Sequence, residues 1–207
     1  FQHLSQGGYK SPEYWILKTA SEHLERGQTV MFLASCAYML QPLIAVLRKN
    51  GIPFHNPYRK TNGFWNPLRH GRKGSSVNRI LSLLVAHPEF GDGQHEWTHG
   101  DVKAWAECLY AKGLLKAGAR AKLDEADESA LVTLNRLDEL FEPAAMESLL
   151  VAFDGDFQQL LGWWRQRVTA TFHSRVQFPV EVALAGGVRA LAEAPKVMVG
   201  TIHSVKG

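Results

Sequence analysis

Residues 29–54 read TVMFLASCAYMLQPLIAVLRKNGIPF. Thr29 to Ser35 is a short apolar run containing Val and Phe, the length and composition of a strand buried in a parallel sheet. In the YMLQPLIAVLRKN that follows, Met39, Leu40, Leu43, Ile44 and Leu47 recur at three-four spacing, which predicts a helix with one apolar stripe. Arg48 and Lys49 fall in its last turn, where cations suit the carbonyl end, and Gly51 falls at the C′ position. Pro42 belongs in the first turn, where a missing N–H costs nothing. Ile52-Pro53-Phe54 then opens a second extended segment. Strand, helix, strand is the half-unit of an open sheet, so the predicted fold class is α/β with a parallel sheet.

Working outward, PEYWILKTASEHLER (residues 12–26) has Pro12 and Glu13 at a helix start, apolar residues near helical spacing, and Gly27 as a stop. From Asn56 to Gly74 the texture changes to Pro, Gly, Asn, aromatic and basic residues, a long irregular connection of the kind that is functional or a linker. Beyond it the sequence reads as helical. Val77, Ile80, Leu81, Leu84 and Val85 form one stripe behind an N-cap at Ser75 or Ser76; Val102, Trp105, Ala106 and Leu109 form a second. Phe157, Leu160, Leu161, Trp164 and Val168 form a third. Further helices are predicted at about 129–141, 143–152 and 180–192. After Pro195 the β-branched run KVMVGTI reads as another buried strand. The order is therefore α/β, then a helical block of roughly 120 residues, then α/β again, as in a sheet domain interrupted by a helical insertion.

The 207 residues are 45% apolar, enough to bury one sizeable core or two small ones, which excludes a disordered chain. The net charge of +3 admits nucleic acid as a partner without demanding it, so clustering decides. Cys36 and Cys108 stand in apolar surroundings without metal spacing, which fits a reduced, cytoplasmic chain. No stretch is long and apolar enough for a membrane helix, no signal peptide is present, and the lack of an initial Met fits an excised fragment.

Two segments carry candidate chemistry. Thr201, His203, Ser204 and Lys206 follow the last strand, where open α/β sheets bind ligands, and Gly207 would let a backbone approach closely. Hydroxyl, imidazole and ammonium suit phosphate contacts; the other reading is a solvated strand end. The connection holds Tyr58, Arg59, Lys60, Phe64, Trp65, Arg69, His70, Arg72 and Lys73, the mixture of cations and aromatics that binds single strands. Its other reading is a hinge with Phe64 and Trp65 packed beneath it. Trp105, Trp163 and Trp164 read as core, Asp124, Glu125, Asp127 and Glu128 as a solvated loop or helix start, and His87, His95 and His99 lack the spacing of metal ligands.

The stretch TIHSVKG (residues 201–207) resembles motif V of the UvrD/Rep family of superfamily 1 DNA helicases, in which an acidic residue follows two positions further on. LRKNGIPFHNPYR (residues 47–59) is similar to the segment after motif IV in the second RecA-like domain of those enzymes, and that family inserts a helical domain between the two. The resemblance implies a partial RecA-like, P-loop NTPase-type domain from residues 1–68 and 195–207, interrupted by an insertion at 69–194. It implies part of an ATP-dependent motor that translocates on single-stranded DNA and unwinds duplex, in repair, replication or a phage-related pathway, with ATP and Mg2+ in the full-length enzyme and none held by this stretch alone. Thr201 and His203 would face single-stranded DNA, with Ser204 beside them, while Gly207 and Lys206 would approach ATP. Arg59, Lys60, Trp65, Arg69, Arg72 and Lys73 would extend the DNA contact. Partners implied are single-stranded and duplex-junction DNA, and a protein partner for the insertion.

Two departures stand against the family pattern. The Tyr-Arg pair of motif IV, which stacks on a base and supplies an arginine to the γ-phosphate, falls on Ala34 and Ser35. These residues also contain no Gly-x-x-x-x-Gly-Lys-Ser/Thr loop, no acidic pair ending an apolar strand and no motif VI arginine. A self-standing helical module that binds nucleic acid or protein, without a motor, is the alternative.

Overall fold

In the computed structural model, which describes residues 11–58, 66–68, 74–90 and 96–205, the segments that read as strands meet in one parallel sheet. Helix α1 (Pro12–Glu25) starts where the Ser11 hydroxyl accepts the Tyr14 N–H at 3.3 Å, and it ends at Gly27, whose φ of +73° lets the Gly27 and Gln28 N–H groups turn back to Leu24 and His23. Strand β1 (Val30–Ala34), a 3-10 turn at Ala37–Met39 and helix α2 (Leu40–Lys49) follow. Pro42 lies in the first turn of α2, and Leu40, Leu43 and Leu47 are its buried face. Met39, expected on that stripe, precedes the helix and is half exposed, because the chain must first turn away from the strand. Lys49 donates to Glu13 at 3.0 Å, tying α2 to α1 and holding the Glu13 carboxyl below its ordinary range. After Gly51 comes strand β2 (Phe54–His55).

The helical stretch contains α3 (Ser76–Leu84), capped by the Ser75 hydroxyl at 3.2 Å from the Asn78 N–H, then β3 (Trp97–Thr98) and α4 (His99–Ala106). Next are α5 (Ala119–Glu125), β4 (Leu131–Val132), α6 (Pro143–Asp154), α7 (Phe157–Arg167) and α8 (Ala170–Gly186). The chain closes with α9 (Arg189–Ala192), β5 (Val197–Thr201) and a short α10 (Ile202–Val205). Two compact units result, one from residues 1–68 with 181–207 and the other from residues 69–180.

Several expectations are corrected. The helix predicted at 129–141 does not form: Asp127 Oδ1 accepts the Ser129 N–H and hydroxyl, turning the chain, after which β4 pairs antiparallel with β3 and sets Val132 opposite Trp97. A 3-10 segment, Leu134–Glu139, completes that region. The helix predicted at 180–192 begins instead at Ala170 and breaks at Gly186-Gly187, where Gly187 has a φ of +74°. The stripe through Leu109 ends at Ala106, and Leu109 forms an isolated bridge with Val168, just past α7.

The helical unit is organised by aromatic side chains. Trp97, Trp105 and Trp164 are fully buried; Trp105 stacks on Phe141 at 5.7 Å, and Trp97 meets Phe153 edge-on at 5.3 Å. The indole N–H groups of Trp97 and Trp164 donate to the carbonyls of Leu83 and Trp105, so burial of these polar atoms is compensated. Trp163, at 6% exposure, completes the expected tryptophan core.

In the other unit the sheet order is β1-β5-β2, all parallel. β5 lies in the middle and buries Val197, Val199 and Gly200, whereas β1, expected to be wholly buried, lies at the edge of the described sheet and buries only Val30. The register pairs Ala34 with Thr201, so the two strands end side by side. Among the described residues, no helix is long and apolar enough to cross a membrane.

Candidate nucleic-acid interface

At the carboxyl end of β5 the backbone turns directly into α10. Gly200 permits this: a Cβ there would lie 3.3 Å from the Ser204 hydroxyl and 3.8 Å from Leu33 Cδ2. Thr201 Oγ1 accepts the Ser204 N–H at 3.3 Å, and Ser204 Oγ accepts the Thr201 N–H at 3.1 Å. This is a reciprocal cap of the kind Ser/Thr and an N3 acid make, with a serine hydroxyl in the acid's place. Ser204 Oγ also donates to the Thr201 carbonyl at 2.8 Å, so its single proton and an acceptor site serve the turn. The Thr201 oxygen receives a hydrogen bond there, which leaves its own proton to donate outward. His203 is exposed on α10, and Thr201 and Ser204 are half-buried.

The turn that leaves β1 lies next to this one in the strand register. It carries Ser35, Cys36, Ala37, Tyr38 and Met39. Cys36 is a half-buried free thiol, and Tyr38 is 75% exposed. From Arg26 to Pro88 the chain contains nine Lys and Arg and no Asp or Glu. The sheet unit holds ten Lys and Arg against five Asp and Glu, net +5, and the helical unit thirteen against fifteen, net −2, which together give the chain's +3. The small total thus conceals one basic and one acidic unit, the clustering that makes charge informative.

Of the residues singled out from the sequence, Thr201, His203 and Ser204 are brought together in this turn. Tyr58 follows β2, where its N–H donates to Asn56 Oδ1 at 3.0 Å in a tight Asx turn. Arg59, Lys60, Trp65, Arg69, Arg72, Lys73, Lys206 and Gly207 lie outside the described residues, as do Phe64 and His70. In comparisons with models of protein families, with curated proteins and with solved structures, the chain matches none.

The helical unit has a cleft of about 560 Å³ between α3 and α4, lined by Asn78, Arg79, Ser82, Asp101, Lys103 and Glu107 among others. Its polar groups are largely committed to the protein. Arg79, 4% exposed, donates to the carbonyls of Gly74 and Ala104 and to Glu107, and lies over the Phe172 ring at 4.9 Å. Asp101 accepts from the Thr98 N–H and hydroxyl and from Ser82, and Lys103 pairs with Asp124 at 2.9 Å, which raises the ammonium's pKa. Among the described residues, no group of three His, Cys, Asp or Glu side chains could hold a metal ion.

The sequence reading missed the exposure of Tyr38 and the close approach of Gly51 to α8, where a Cβ on Gly51 would lie 2.2 Å from the Glu181 carbonyl oxygen. The first had a usable signal: Pro42 in the first turn starts α2 at Leu40, so residues 36–39 must form a connection at the sheet's carboxyl edge. The second had none, because it joins residues 130 positions apart in the chain.

Proposed function

We propose that the chain is part of an ATP-dependent, UvrD/Rep-like DNA helicase, contributing a RecA-like half-domain with its helical insertion, and that its own task is on the DNA side of the motor. The observation that carries this reading is the course of Thr201–Val205. The stretch that resembles motif V leaves the central strand of a parallel sheet, in a unit of net charge +5, with its threonine capped and its histidine exposed. Thr201 donates its hydroxyl proton to a phosphate oxygen, and His203 reaches the strand from the first turn of α10. The reciprocal cap holds the two in fixed relation, so displacement of β5 is passed to the DNA contact.

ATP and Mg2+ belong to this proposal only through the intact enzyme. The residues present include no Walker lysine and no acidic pair at a strand end, so they do not fit Mg-ATP, and hydrolysis is assigned no step here.

The test is oligonucleotide binding by the 207-residue chain across a salt series, with wild type and His203→Ala. Weak single-strand binding that falls with salt and falls further in the variant supports the reading. In the full-length protein, His203→Ala should uncouple DNA stimulation from ATP hydrolysis; unchanged stimulation and unwinding would sink the assignment. The alternative, a self-standing helical binding module, is favoured by the separate aromatic core and cleft of the helical unit. Tight, salt-insensitive duplex binding would select it.

A further inference from the structure

We infer that Tyr38 is a base-stacking residue, the platform on which an unpaired nucleobase rests while the β5–α10 turn holds the adjoining phosphate. This rests on the single-strand reading above and deepens it. Among the described residues Tyr38 is the most exposed of the large hydrophobic side chains, at 75%, which removes a packing role. It does not stand alone: Met39 is 50% exposed, Leu33 46% and Ile202 40%, and all four lie on the last residues of β1 and β5 or on the turns that leave them. Leu33 Cδ2 approaches Gly200, so the apolar side chain of one strand end borders the backbone of the other.

Exposed apolar residues gathered at the ligand-binding edge of a parallel sheet mark a contact surface. Charge selects the occupant. No acidic residue occurs in either turn or anywhere from Arg26 to Leu68 of this unit, whose net charge is +5, so the surface is built against a polyanion rather than a basic peptide. A single strand presents what both halves of the edge can use: π-faces for an aromatic ring, and phosphates for a hydroxyl and an imidazole. Thr201 ends β5 and Tyr38 follows the end of β1, and those two strand ends are paired in register, Ala34 opposite Thr201.

The experiment measures binding of a fluorescein-labelled oligothymidylate to the 207-residue chain by anisotropy at low salt, for wild type, Tyr38→Ala, Tyr38→Phe and Tyr38→Trp, with matched circular dichroism. Tyr38→Ala should weaken binding by about tenfold or more, the loss of one stacked base, while Phe and Trp stay close to wild type. An abasic strand of equal length should bind wild type and Tyr38→Ala alike, because its phosphates remain. Photo-crosslinking with a strand containing 5-iododeoxyuridine should label the peptide that contains Tyr38. Equal binding of Tyr38→Ala and wild type to the thymidylate overturns the inference, as does an equal loss on the abasic strand. So does a loss confined to a fluorescent ATP analogue, which would give the ring to a nucleotide instead. Wild-type binding that falls with salt and with His203→Ala but ignores Tyr38 removes this inference alone; no wild-type binding removes both.

Discussion

Thr201 and Ser204 cap each other: each side-chain oxygen accepts the other's backbone N–H, at 3.3 and 3.1 Å. Ser204→Ala removes one half of this exchange and should lower stability by about 0.5–2 kcal/mol, the ordinary worth of a cap. Ser204→Asp substitutes the acid that Asp101 already provides beside Thr98, so stability should hold. A carboxylate beside the phosphate path should nevertheless weaken oligonucleotide binding. Urea denaturation and anisotropy on the same two variants separate these effects. If Ser204→Ala lost DNA affinity at unchanged stability, its hydroxyl would be a ligand contact and not a positioning group.

Gly51 is indispensable where Gly27 is merely convenient. Both have positive φ, +62° and +73°. A Cβ on Gly27 meets nothing within 4 Å, while one on Gly51 would lie 2.2 Å from the carbonyl oxygen of Glu181. Gly27→Ala should cost about 1–2 kcal/mol of left-handed strain. Gly51→Ala should cost a further 1–3 kcal/mol, roughly, as backbone is forced from backbone. Paired denaturation curves showing equal losses would contradict the close approach of Gly51 to α8.

How much of this was legible in the sequence depends on the range of the interactions concerned. Periodicity found β1, α2, β5 and most helices because each has a local apolar pattern that packing confirms, as with Leu40, Leu43 and Leu47. It failed at 129–141, where the side chain of Asp127 and pairing with Trp97 override a plausible helical pattern. Two-residue strands such as β3 and β4 are too short to have a period. Arg79 was also invisible: a lone arginine on an apolar stripe becomes a buried structural cation only through carbonyls of residues 74 and 104 and the distant Glu107. At the candidate site, residue types and strand position pointed to Thr201, His203 and Ser204. The cap that divides their roles required coordinates.

Arg79 and Glu107 form a pair of unequal members. The guanidinium is buried at 5% side-chain exposure and bonded to two carbonyls, while the carboxylate is 59% exposed and 2.8 Å away. Arg79→Met should destabilise by about 1–3 kcal/mol, since it takes the guanidinium donor from the carbonyls of Gly74 and Ala104 and removes the cation from the Phe172 ring. Glu107→Gln should cost under about 1 kcal/mol, because water screens its half of the pair and the amide oxygen still accepts. Chemical denaturation gives both values, and equal losses would show that the ion pair, not the burial of Arg79, is the stabilising element.

Cys108 links pH to stability. Its thiol is fully buried and donates to the Trp105 carbonyl at 3.2 Å, and burial pushes its pKa from 9.0 up to about 11 against the opposing pull of Arg79. The folded state therefore keeps the proton that the unfolded state releases first. Stability from this group is whole below about pH 9 and is lost as pH rises through 11, by about 2 kcal/mol at pH 10.5 given 1.36 kcal/mol per unit. Lys and Tyr titrate in the same window, so the comparison is between wild type and Cys108→Ala: urea midpoints at pH 8 and pH 10.5 should converge, since the variant lacks this loss while its cavity cost is independent of pH. Native-state labelling with iodoacetamide should modify Cys36, which is half-buried, ahead of Cys108, whose reaction should accelerate only when urea opens the helical unit. Rapid native labelling of Cys108 at pH 8, or an undiminished gap between the variants at pH 10.5, would show that the thiol is not sealed within the helical unit.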